Sequence, residues 1–111
     1  MINVSEMDLL IYSMAAEMND AYNQPRTKQD IQDTAIQWRS NYSNLSRDEL
    51  YDIVIEGTRA NMKHMNWELD DIEGVAWFLG IYTRVIMKAG LIKGSFSDII
   101  MPCMRLYFNK L

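Results

Sequence analysis

The chain has 111 residues, enough for one domain with a single hydrophobic core. Apolar residues make up 49%, with two prolines and five glycines, which excludes a disordered or loop-rich chain. A net charge of −4 argues against nucleic acid as a main partner, and a single cysteine excludes a disulfide framework and cannot alone make a metal site.

The charge is unevenly placed. Residues 1–25 carry four acids and no base, whereas five bases follow Gly74 against the one acid Asp98. Complementarity between helices of one chain explains this arrangement, and a head-to-tail or antiparallel homo-oligomer is the sharper alternative. The N-terminus is acidic and shows no basic leader with an apolar block, so a soluble, cytoplasmic protein is expected. The apolar run from Val75 to Met87 is too short to span a bilayer and contains Arg84. No membrane role is expected.

Helix 1 should run from about Glu6 to Tyr22. Ser5 with Asp8 three residues on resembles a capping box. Met7, Ile11, Met14 and Met18 recur at spacings of four and three, which predicts an inward stripe widened by Leu10. The helix fails before Pro25. Helix 2 starts at Thr27, with a narrow stripe of Ile31, Ala35, Trp38 and Tyr42, and should lie outside. Helix 3 has the best start signal, Ser46-Arg47-Asp48-Glu49, with Leu45 able to staple onto Leu50. Gly57 in its middle costs roughly 1 kcal/mol against alanine, which predicts close packing there. After a very short turn comes the central helix, at about residues 67–89. Its start carries Glu68, Asp70, Asp71 and Glu73, and its end carries Lys88 and Gly90, matching the helix dipole and a left-handed stop. Ile72, Val75, Leu79, Tyr82 and Ile86 form one face, with further apolar residues flanking it, so the rest of the chain should wrap it. Ser95 with Asp98 offers a last cap. Pro102 predicts a turn and then a helix beginning at that proline, rather than a kinked helix. The fold class expected is all-α, a single-domain bundle of four to five helices around that central apolar helix.

Candidate chemistry is sparse. Arg59-Ala60-Asn61-Met62-Lys63-His64 gives an Arg-x4-His spacing that resembles the active motif of the HEPN ribonuclease family, with Ala60 where that family has a polar residue. The resemblance covers six residues. It implies a dimeric, metal-independent ribonuclease in which Arg59 and His64 cut RNA. His64 also reads as an exposed cation at a helix C-terminus, favourable to the dipole. Carboxylates three apart recur, as in Glu17/Asp20, Asp30/Asp33, Glu49/Asp52, Glu68/Asp71 and Asp70/Glu73, and such pairs can hold Mg²⁺ with phosphate oxygens. They resemble those of the all-α nucleotide pyrophosphohydrolases. Several are explained as first-turn residues, so no metal site and no cofactor are expected. Nine methionines are many for this length; most fill core, yet methionine adapts to varied surfaces and an excess can mark a binding groove.

The leading reading is a non-catalytic helical protein that binds another protein and self-associates, an inhibitor, immunity or accessory factor of the kind encoded on phages or mobile elements. Its expected docking face is the side of the central helix carrying Glu73, Trp77, Gly80, Arg84 and Lys88. There a large amphipathic ring stands beside a residue with no side chain, and tryptophan and arginine are enriched where binding energy concentrates. The competing expectation is that another helix, helix 2 or helix 5, covers this side.

Overall fold

The computed structural model describes residues 4–111, and five α-helices account for most of them: α1 (Glu6–Glu17), α2 (Pro25–Tyr42), α3 (Arg47–His64), α4 (Ile72–Lys88) and α5 (Phe96–Asn109). A 3-10 turn over Asp20–Asn23 joins α1 to α2, and there is no strand among the described residues. The all-α bundle expected from the sequence is what the chain forms. α4 is its centre, packed against each of the other four helices. Val75, Leu79 and Ile86 on α4 are buried, as their shared face requires.

Caps fix most of the boundaries. Ser5 accepts from the Asp8 amide, while Ser46 with Glu49 and Ser95 with Asp98 form full capping boxes. At the end of α4, Gly90 has φ +71°, its amide reaches Met87 O, and the Leu91 amide reaches Ile86 O. This is the paired arrangement that a left-handed glycine makes possible.

Four expectations need correction. Helix 1 ends at Glu17, five residues early, because Asn19 caps a separate turn through the Ala21 amide. α2 begins at Pro25, ahead of Thr27, since a proline at the first helical position loses no bond. The central helix, expected over about residues 67–89, begins only at Ile72. Asn66 adopts φ +58° and closes α3, with its own amide on Lys63 O and the Trp67 amide on Met62 O. Asp71 is the true cap of α4, so Glu68 and Asp70 lie in a connection of seven residues (65–71) rather than in a first turn. Finally, α5 runs unbroken through Pro102. The proline removes one bond to the Asp98 carbonyl, but Asp98 faces water, and buried Ile99, Ile100, Cys103 and Met104 hold the helix on both sides.

Long-range polar contacts set the directions. Glu6 pairs with Arg105 at 2.8 Å and Ser97 donates to Glu17 at 3.5 Å, so α1 and α5 are antiparallel. Gly57 lies against Tyr82 and Gly74 against Met62, so α3 and α4 are antiparallel too. The close packing expected at Gly57 is present: a Cβ there would lie 2.9 Å from the Tyr82 ring. Three arginines donate to backbone carbonyls far away in sequence. Arg39 reaches Lys88 O and Ala89 O, Arg47 reaches Lys93 O, and Arg84 reaches Ala16 O and Glu17 O. Arg39 and Arg84 thereby bring a cation to the C-terminal end of a neighbouring helix, where free carbonyls and the dipole favour it.

Candidate functional site

The five residues expected to form a docking face do share one side of α4, but their surroundings differ. Gly80 is buried. A Cβ at that position would lie 2.5 Å from the Tyr22 hydroxyl and 3.4 Å from Ala16 Cβ, so α1 and the 3-10 turn press directly on it. Arg84 lies under the same cover. Its guanidinium carbon sits 3.7 Å above the Tyr22 ring and 4.5 Å from that of Phe96, and its nitrogens donate to Ala16 O, Glu17 O and Gly80 O. Burial lowers the Arg84 pKa from its ordinary value, with Tyr22 and Glu17 opposing the shift. Burial likewise pushes the Tyr22 hydroxyl up to about 12, and that hydroxyl donates to Trp77 O at 2.8 Å. The expectation that the middle of this stripe faces outward does not hold. Its cover is α1 with the 3-10 turn, joined over Arg84 by Phe96 at the start of α5, one of the two helices expected there.

The two ends of the stripe remain accessible. Glu73 and half-buried Trp77 border a hollow of about 270 Å³ beside α1, shared with Tyr12, Ala15 and Asn19. Lys88 is exposed at the other end, on a cleft of about 710 Å³ that also reaches Lys28, Tyr22, Arg84 and Phe96.

The other candidates are dispersed. Arg59 and His64 are five positions apart on α3, which separates them by roughly 140° around the helix. His64 is exposed in the last turn. Arg59 is half-buried 3.9 Å from Glu56, and its Nε is buried with no partner among the described residues. Glu49 and Asp71 act as caps. Among the described residues no three His, Cys, Asp or Glu side chains converge as a metal-holding group. Cys103 is fully buried, and burial pushes its thiol up to about 12.

The surface that the sequence reading assigned to the core is on α1. Leu9, Ser13 and Ala16 face inward, and the Ser13 hydroxyl folds back onto Leu10 O. Met7, Leu10, Ile11, Met14 and Met18 face out, with 63%, 43%, 53%, 50% and 77% of their surface exposed. The helix is amphipathic with its larger apolar side outward. The cause is the space available: α1 meets α4 at Gly80 through Ala16, where a larger side chain would not fit, and that contact turns Leu9 and Ser13 inward on the same face. A signal was present in the sequence, since Leu9, Ser13 and Ala16 are themselves spaced four and three apart. Elsewhere among the described residues the exposed large apolar side chains are Ile36, alone on α2, and Met65 with Trp67 in the α3–α4 connection. Trp67 covers Gly74 and Phe78 with part of its ring. Scattered residues of that kind are ordinary, whereas five on one face are not.

Among the described residues no helix is long and apolar enough to cross a membrane. No protein family model, no characterised protein and no solved structure matches this chain.

Proposed function

We propose that this chain is a non-catalytic binding protein that docks another protein on the outer face of α1, and that the free protein self-associates through the same face. The observation that carries this reading is the contiguous outward stripe Met7, Leu10, Ile11, Met14 and Met18. Leaving five large apolar side chains in water has a cost that covering them recovers, at about 25 cal/mol for each Å² removed. Methionine suits the task because its flexible thioether conforms to varied shapes. Trp77 and Glu73, at the open end of the expected face, border the hollow beside α1 and extend the surface. Gly80 and Arg84 serve it indirectly by seating α1. Inhibitor, immunity and accessory factors are the kinds of protein that work by such docking alone.

The test is a pair of charge insertions, Met14→Glu and Met18→Glu. Both side chains are exposed, so folding stability should stay within about 0.5 kcal/mol of wild type in urea titrations. Sedimentation equilibrium should show concentration-dependent association of the wild type and monomeric variants. A wild type that is monomeric at every concentration removes the self-association. Destabilisation by several kcal/mol would show the stripe to be core and end the whole reading.

A further inference from the structure

We propose that the partner segment received by α1 is a basic amphipathic helix of another protein; this rests on the reading of α1 as the docking face. Three observations select that chemistry.

The first is shape. At about 100° per residue the five side chains occupy an arc of roughly 100°, with Leu10 and Ile11 at its edges. α1 has 12 residues and is therefore about 18 Å long. A straight apolar ridge of that width and length matches the i, i+3, i+4, i+7 anchors of one partner helix.

The second is charge. Asp8 stands on one edge of the stripe, on the side where Glu73 of α4 lines the neighbouring hollow. Glu6 and Glu17 stand on the other edge, and residues 1–25 contain no Lys or Arg. Glu6 is already paired with Arg105 through two hydrogen bonds, at 2.8 and 2.9 Å, which leaves Glu17 to meet a cation on that edge. Lysines and arginines flanking the apolar face of an incoming helix would therefore meet Asp8 and Glu73 on one side and Glu17 on the other. A second copy of this chain would bring the same acids against them. Asp20 in the 3-10 turn is a further exposed acid, and the sign reverses beyond it, where Lys28 and Lys88 line the larger cleft.

The third is the hollow itself. Its walls are Tyr12, Ala15 and Trp77, its rim is Glu73, and its volume is about 270 Å³. An arginine or lysine fits this combination, the stem lying on the rings and the charged head reaching the carboxylate.

The experiment uses the full chain and two synthetic helical peptides with one apolar face. One carries lysine and arginine on its polar face and the other carries glutamine and serine. Fluorescence anisotropy at low ionic strength should show the basic peptide binding at least about tenfold more tightly, with the advantage shrinking as salt screens the carboxylates. Glu73→Gln should reduce the preference for the basic peptide, and Met14→Glu should abolish binding of both. Salt should strengthen self-association, the opposite response. Equal binding of the two peptides, lost in Met14→Glu, would overturn the basic partner and leave the docking face standing. If neither peptide binds while the wild type associates through α1, the occupant is a second copy and the proposal fails. Basic-peptide binding that survives Met14→Glu would overturn both the partner and the face.

Discussion

Thr83 is buried on α4, and its hydroxyl has no hydrogen-bond partner among the described residues. A helical threonine ordinarily turns that hydroxyl onto a carbonyl one turn back, as Thr58 does onto Val54 O at 2.9 Å. An unpaired buried hydroxyl costs about 1–3 kcal/mol, so Thr83→Val should raise stability by about 1 kcal/mol in urea titrations. Thr58→Val, which loses a made bond, should not. A loss of 1 kcal/mol or more at Thr83 would mean that the hydroxyl is bonded in solution. Individual side chains were the hardest feature to read from sequence for the same reason: burial and partners belong to the fold. Arg84 shows this. Its type and its place on α4 made it a candidate for a docking face, yet its donors close the end of α1, a helix 68 positions away through Ala16. Nothing in the local sequence of either helix announces that pairing. Ser46 and Ser95, whose partners lie three residues away, were legible because their bonds are local.

At the scale of helices, caps and periodicity carried most of the information, and they failed where two faces competed. On α1 the larger apolar stripe lost to the smaller one, because what α4 offers at Gly80 is room for an alanine rather than a methionine. Hydrophobicity alone ranks faces by transfer energy, whereas a helix seats by fit. The proline in α5 made the converse case, a local breaker overruled by buried residues on both sides. The seat of α1 can be tested at its tightest point. In Gly80→Ala the new methyl group would displace Tyr22, which is held between Trp77 and Arg84. Overpacking costs about 1–3 kcal/mol and the lost Tyr22–Trp77 hydrogen bond about 1 more, against about 1 kcal/mol gained in helix propensity. A net loss of about 1–3 kcal/mol is expected by thermal or urea unfolding. A stabilised variant would show that α1 is not seated there.

For the molecule as a whole, burial of acidic protons sets an alkaline limit. Burial raises Cys103 from 9.0 to about 12, and Tyr22 and Tyr107 from 10.0 to about 12. An unfolded chain releases these protons at the lower values and the native one only at the higher. Their contribution is therefore complete below about pH 9 and is lost as pH rises towards 12. The urea midpoint should hold from neutrality to about pH 9 and then decline, with thiol reagents reaching Cys103 only in unfolded protein. A midpoint unchanged to about pH 11, or rapid labelling of the native thiol, would contradict this burial. The seating of α1 also bears on the order of events in time. Its contacts to Arg84 and Arg105 span 67 to 99 residues, so a ribosome makes α1 long before it makes the surface that receives it. Closing so long a loop is worthwhile only once α4 and α5 are in place, which predicts that α1 attaches in the last step of folding. The loss in Gly80→Ala should then appear almost wholly as faster unfolding, with the refolding rate unchanged. Until that step the nascent helix exposes both of its apolar sides, and α4 later covers only the inner one.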